Sequence, residues 1–412
     1  MEKKHSLIDR KTLYKEVNES IIVYEGDILF KAPTEEKRNV DIIKNGQIII
    51  VFQPYPRIEF VGQLKPDIRF EYFNANAKLD IWIKKNSKKP VKYGKSLCLS
   101  TNVIEEAPFY TDKKIKNVNF SLCNLPICNK MESSLSETSG FFIEPRKDLK
   151  EIVKKLENTV GSVVTHQGSI NFKSLVSHYD AKNHLQTLVD SLRFLSSTHV
   201  GIALVEFEHI DETTSLQHSY PPSFKHYEPT PKIIRFANER LLYSSPFFKK
   251  IHEVRADLVK SQFLSDIIHW YIEANRNEGM AEGSLVLCRI GIEILFNWLK
   301  LKKTKIKTLT SHFKMELNNY QIDHLKRFCE HEGFSSIELG ISELRNGFVH
   351  PKKDNICWSS YPNFNIVICE AKQVLLSIID KHVLSIGGLE KEFKHFDRLP
   401  KKHIPNKPKK KK

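Results

Sequence analysis

The spacing of apolar residues changes once along this chain, and the change follows a proline-rich stretch. Before about residue 240, apolar residues come in short runs or alternate with polar ones, as in half-buried strands. Ile48-Ile49-Ile50-Val51-Phe52 is a compact β-branched run, and Asp67 to Phe73 and Leu79 to Lys84 alternate with period two. Val118 to Leu122 and Ile202 to Phe207 continue the pattern. Two stretches within this half read as helical, one around Asp148 to Leu156 and one from about Ala181 to Leu195. Ser219 to Pro231 carries Pro221, Pro222, Pro229 and Pro231 and predicts a loop or linker.

Beyond about residue 245 the period becomes helical. Phe263, Leu264, Ile267, Ile268, Tyr271 and Ile272 form one stripe, and Leu285 to Leu299 is apolar on nearly all sides, as a central helix is. Ser335 with Glu338 predicts a capping box at a helix start. Ile337, Ile341, Leu344 and Phe348 then predict its buried stripe, and a last helix is predicted over about Asn365 to Leu384. Five or so helices in this span predict a compact bundle. The expected class is α+β. A β-rich domain, α+β or sandwich-like, covers 1–240; an all-α bundle covers 245–385; a basic tail covers 386–412.

A length of 412 residues suits two domains, and 40% hydrophobic with 27% charged residues suits a soluble globular protein. No apolar run reaches bilayer length, and Met1 to Ser6 lacks the apolar core of a secretory signal, so no membrane partner is expected. The seven cysteines are odd in number and scattered, which predicts a reduced, cytoplasmic protein. A net charge of +15 favours a polyanion as partner. Seven lysines lie between Lys401 and Lys412, either as a solvated end or as a loose tether for RNA.

Arg345-Asn346-Gly347-Phe348-Val349-His350, followed by Pro351, is the stretch richest in chemistry. A basic residue, then glycine, then proline is also how ordinary helices end. The other reading is catalytic. Histidine moves protons near neutral pH, and a guanidinium grips phosphate through paired hydrogen bonds. Because His350 precedes proline, its backbone is pushed out of the helical region. Positions five apart on an unbroken helix diverge by roughly 140°. A bend at Gly347 is the feature that would bring Arg345 and His350 back together. Glu293 stands on the nearly all-apolar helix. It either pairs with Arg289 one turn earlier or faces a cleft near Arg345, and Asn297 shares its face.

Other signals are weak. Gly94-Lys95-Ser96 lacks the earlier glycine of a phosphate-binding loop, because Lys89 stands there. Cys123 and Cys128 have no second pair nearby, so buried thiols are expected there rather than a zinc site. His312, His324 and His331 form no motif, and Trp270 and Trp298 are expected to pack the core. No metal or cofactor is expected.

A helical bundle with an arginine and a histidine at one helix terminus resembles the HEPN family (higher eukaryote and prokaryote nucleotide-binding). Arg345, Asn346 and His350 match its motif, and Gly291-Ile292-Glu293-Ile294-Leu295 fits its glutamate-bearing upstream helix. A β-rich domain preceding such a bundle resembles the ApeA-like abortive-infection proteins, as does Leu192-Arg193-Phe194-Leu195-Ser196 before a strand. Lys352 stands where many members carry a tyrosine, which points away from the nucleotide-modifying subtypes. The resemblance implies a metal-independent endoribonuclease of prokaryotic antiphage defence. It would act on RNA, tRNA in the first instance, with Arg345, His350 and Asn346 catalytic and Glu293 supporting. It further implies a homodimer through the bundle and a phage-derived trigger sensed by the N-terminal domain. The competing expectation is a non-catalytic RNA-binding scaffold that uses the bundle only to dimerise.

Overall fold

The computed structural model describes residues 14–31, 42–52, 57–63, 79–84, 91–98, 103–105, 114–126, 129–159, 161–209, 214–218, 246–276, 281–301, 321–350 and 358–389. The chain divides into two compact units, Met1–Pro229 and Thr230–Lys412. Strands occupy the first and helices dominate the second, so the class is α+β with a C-terminal helical region. The alternating stretch 67–73, the prolines from Pro221 to Pro231 and the lysine-rich tail lie outside the described residues.

Among the described residues, the first unit holds two six-stranded antiparallel sheets. One is built from β1 (Ile21–Lys31), β2 (Ile42–Val51), β3 (Arg57–Gln63), β4 (Leu79–Lys84), β5 (Val91–Cys98) and β6 (Val103–Glu105), in the order β3-β2-β1-β4-β5-β6. Ile21, Ile28, Ile48, Ile50 and Phe52 are buried in it, while Gln47 and Ile49 between them are half-buried. Gly94, Lys95 and Ser96 lie within β5, where Lys95 pairs with Asp80 on one side and Glu105 on the other. A strand paired on both edges leaves no loop to wrap a phosphate.

The other sheet is built from β7 (Ile115–Cys123), β8 (Met131–Ser134), β9 (Ser139–Pro145), β10 (Val164–Val176), β11 (Gly201–His209) and β12 (Thr214–His218), in the order β12-β11-β7-β10-β9-β8. Val118, Phe120 and Leu122 are buried on β7 and Asn119 is half-buried between them, but Ser121 is buried too, so the predicted alternation stops short of Leu122. Helix α1 (Leu149–Asn158) packs Ile152 and Leu156 on Val163 and Val17. Helix α2 (His178–Ser196) lies against β7 and β10. Ser177 caps it by accepting from Asp180 N, and Ser197 ends it in the left-handed region, at φ 52°.

One buried side chain ties the start of the described chain to this sheet. Arg146 donates from Nε and Nη2 to the Asp148 carboxylate at 2.7 and 2.8 Å. It also donates from Nη1 to the carbonyls of Lys15 and Val164, and its guanidinium lies 5.3 Å from the Tyr14 ring centre. Asn18 and Ser162 exchange two further bonds, Asn18 N to Ser162 O and Ser162 N to Asn18 Oδ1.

In the second unit, α3 (Phe247–Arg255), α4 (Leu258–Arg276), α5 (Ala281–Leu301), α6 (Asp323–His331), α7 (Ile337–Val349) and α8 (Phe364–Ile386) are the helices among the described residues. Helix α5 packs against α4, α7 and α8. Leu285, Cys288, Ile292, Leu295 and Trp298 are buried along it. It is less uniformly enclosed than its composition predicts, because Glu282, Glu293 and Asn297 form one exposed strip. No described helix is long and apolar enough to cross a membrane.

The Arg146 guanidinium holds the Asp148 carboxyl below the usual carboxylate range; that hydrogen bond is the largest cause, and burial opposes it. A carboxylate with a lowered folded pKa contributes stability that is complete above its unfolded value and is lost as pH falls through the folded one. Asp148→Asn should therefore cost about 1–2 kcal/mol at neutral pH, modest because Asp148 is half exposed. The cost should shrink below about pH 4. Urea unfolding of the full chain at both pH values checks this; an equal cost at both would show that the carboxylate charge contributes nothing.

Candidate functional site at the end of helix α7

Helix α7 begins one residue later than the capping box predicts. Ser336, not Ser335, is the N-cap, and its hydroxyl accepts from Leu339 N at 3.2 Å. Ser335-x-x-Glu338 and Ser336-x-x-Leu339 sit one register apart, and Glu338, the far half of the predicted box, is buried near the Cys329 thiol. Burial and the nearby Glu330 and Glu338 charges raise that thiol to about 11, so Cys329 is an inert, protonated group at neutral pH. The predicted stripe holds in the middle of the helix: Ile341 and Leu344 are buried, and Ile337 and Phe348 are half-buried.

The helix runs unbroken through Gly347 to Val349. The bend expected at Gly347 does not occur; Gly347 is buried inside the helix. The chain turns instead at His350, the C-cap, with φ −131° and ψ 71°. Proline at the next position excludes helical backbone there. The His350 N–H still donates to Asn346 O at 2.7 Å, closing the last turn. Phe348 packs near Phe364 at 6.4 Å between ring centres. Phe364 belongs to a cluster around Phe328 with Phe334, Trp358 and Tyr361, and Trp358 Nε1 donates to Glu332. These rings give the end of α7 a rigid floor.

Arg345 is half-buried and His350 exposed. Arg345 Nη1 donates to Asn346 Oδ1 at 3.1 Å, so Asn346 holds the arginine rather than the histidine. Arg345 Nε is buried without a hydrogen-bond partner. A buried donor left in that state costs about 1–3 kcal/mol. No hydrogen bond joins Arg345 to His350, nor Glu293 to either.

Glu293 instead pairs with Arg289, Nε to Oε1 at 3.2 Å, and is itself about half exposed, at 51%. Of the two alternatives for Glu293, the ion pair one turn back is the one formed, and exposure makes its charge inexpensive. Arg289 is much less exposed, at 17%. Its pKa is pushed down chiefly by burial; Glu293 opposes this, and the positive charge of Arg345 adds to it. The guanidiniums of α5 and α7 therefore feel one another. Sequence reasoning met Arg289 only as a partner for Glu293. Its nearness to Arg345 depends on how α5 packs against α7, and no local signal carries that.

The remaining candidates take structural places. Trp298 is buried, and Trp270 packs edge-on to His269. His331 Nδ1 lies 2.9 Å from Glu332, His324 is half-buried, and His312 lies outside the described residues, as does Cys128. The Cys123 thiol is raised well above its ordinary value by burial. Among the described residues no group of histidine, cysteine and carboxylate side chains could hold a metal ion.

The model of the YopA C-terminal domain family matches residues 257–401. The match takes in α4 to α8, and with them Arg289, Glu293, Arg345, Asn346 and His350. No curated protein and no solved structure matches the chain.

The position of α7 depends on Gly340. A Cβ added there would collide with Cys329 Sγ on α6. Gly340→Ala should destabilise the protein by about 1–3 kcal/mol, as overpacking does. Adding Cys329→Ala should recover part of that loss, because the two sites share the contact. Thermal unfolding of the two single variants and the double variant checks this; strictly additive losses would show that the contact does not set the helix spacing.

Proposed function

We propose that the helical unit is a metal-independent endoribonuclease whose reacting groups are His350 and Arg345. The observation that carries this reading is the presence, at one helix end, of an exposed imidazole and a half-buried guanidinium that has an unanswered Nε–H. RNA brings its own nucleophile, the 2′-hydroxyl beside the phosphate. A neutral His350 removes that proton as general base, a role worth roughly 10²–10⁴-fold. Arg345 answers the charge that builds on the phosphoryl oxygens, and its free Nε–H gains an acceptor only when an oxyanion arrives. Asn346 fixes the guanidinium through Nη1. The products are a 2′,3′-cyclic phosphate and a 5′-hydroxyl, and DNA is inert.

One chain supplies one such histidine, and a second is needed as general acid. A two-fold dimer supplies it, because an isologous interface repeats each group. Leu339 and Val349 on α7 and Ile366 on α8 are large apolar side chains left exposed, and Leu339 stands two turns before Asn346 on the same helix face. They favour a homodimer interface beside His350. The cellular role that goes with this chemistry is antiphage defence by abortive infection. Its target would be RNA, tRNA in the first instance, and its trigger a phage-derived signal received by the N-terminal unit. The +15 net charge suits a polyanion substrate.

A second reading, an RNA-binding scaffold without catalysis, is favoured by the absence of any hydrogen bond between Arg345 and His350. Cleavage separates the two. The full chain incubated with total cellular RNA in EDTA should yield fragments ending in 2′,3′-cyclic phosphate. Arg345→Ala and His350→Ala should each reduce cleavage by about 10²-fold or more. His350 is exposed, so its replacement should leave stability within about 0.5 kcal/mol. Undiminished cleavage by the double variant removes the ribonuclease reading. Sedimentation should find the active species as a dimer, and an active monomer removes the composite site.

A further inference from the structure

The α5–α7 contact holds more positive charge than its surroundings balance. Helix α5 packs against α7, and Arg345 lies near enough to Arg289 to help push the Arg289 pKa down, with Arg289 largely and Arg345 partly withdrawn from water. Glu293, at the exposed edge, is the carboxylate bonded to Arg289, and it engages Nε alone. Asn346, which is neutral, takes Nη1 of Arg345. Of the two guanidiniums only Arg289 thus bonds a carboxylate, and Arg345 Nε is left buried with its donor unused. A protein rarely keeps a buried donor and a surplus charge together without something to fill the place. A tetrahedral oxyanion supplies both missing elements, an acceptor for Nε–H and a negative charge between two planar forks.

We propose that Arg289 and Arg345 together grip one backbone phosphate of an RNA strand, with Glu293 as the counter-ion that holds Arg289 until that phosphate displaces it. This rests on the reading of the unit as RNA-directed. Arg289 is a binding residue, not a catalytic one; it sets where the strand lies, and Arg345 and His350 act on the phosphodiester so placed. Glu293 is then a brake rather than a helper. It competes with the substrate for the same guanidinium, so removing its charge should tighten binding, whereas a carboxylate supporting catalysis would weaken the enzyme when lost.

The test uses a 2′-O-methyl oligoribonucleotide, which offers phosphates without a nucleophile, so that binding is measured apart from cleavage. With the full chain, Arg289→Met should weaken binding about 10-fold or more, as loss of a charge-assisted contact does. The same variant should lower the slope of log affinity against log salt by about 0.7, the value for one single-strand phosphate. Arg289→Lys, which keeps the charge but loses the fork, should fall between. Glu293→Gln, at an exposed position, should tighten binding about 3–10-fold. If cleavable RNA is used, Arg289→Met should raise KM more than it lowers kcat. Unchanged affinity and salt slope in the Arg289 variants, or weakened binding in Glu293→Gln, overturns the grip. Arg289-dependent binding by a wild-type chain that cuts nothing keeps the phosphate site and removes the ribonuclease reading. Wild-type cleavage that ignores Arg289 does the reverse.

Discussion

Burial of α5 is the constraint on which the helical unit depends. A helix with Leu285, Cys288, Ile292, Leu295 and Trp298 on its sides loses most when left in water, at roughly 25 cal/mol for each Å² of apolar surface. It is enclosed by α4, α7 and α8, and Glu282, Glu293 and Asn297 lie along one exposed strip. Arg289 and Glu293 stand one turn apart, where i and i+4 residues meet, with Arg289 the more enclosed of the two. The charge pair is thus a by-product of the way the apolar majority was buried. Helix α7 docks against the same helix and brings Arg345 toward Arg289. The close seat at Gly340 against Cys329, together with the aromatic floor under Phe348, leaves little freedom in where Arg345 and His350 end up.

The electrostatics of that helix end follow from the packing. Arg345 is half sunk, tied by one nitrogen to its chain neighbour, and carries a second donor that nothing answers. His350 is exposed because proline forces the chain out of the helix at that residue. The same constraint that ends the helix therefore leaves the imidazole accessible. The two groups differ in solvation: the guanidinium is in a medium where charge acts more strongly, and the imidazole is exposed to water.

The first unit owes its order to a different device. Its sheets are closed along their lengths by antiparallel pairing, and β11 is buried from Gly201 to Phe207. The Arg146–Asp148 pair then clasps the segment from Tyr14 to Asn18 onto the start of β10 through backbone carbonyls. An arginine so deeply buried is satisfied by four acceptors and an aromatic face at once, which is why a charge is tolerated there.

Much of this was readable in the residues. Period-two spacing pointed to β7 and a period-3.6 stripe to α4, because those patterns express which side of a single element meets the core, while α5 was legible as a helix apolar on nearly all sides. Pro351 determined that α7 stops at His350, since that restriction acts between neighbours, and it also placed Arg345, Asn346 and His350 at one helix end. Tertiary structure alone decided the rest. It selected Ser336 over Ser335 as the cap, kept α7 straight through Gly347, and laid Gly94 to Ser96 into a strand paired on both sides. It also gave Glu293 to Arg289 and set Arg289 beside Arg345. Each of those outcomes turns on contact between segments far apart in the chain, whose energies depend on helix spacing and register, and no run of adjacent letters encodes a distance of that kind.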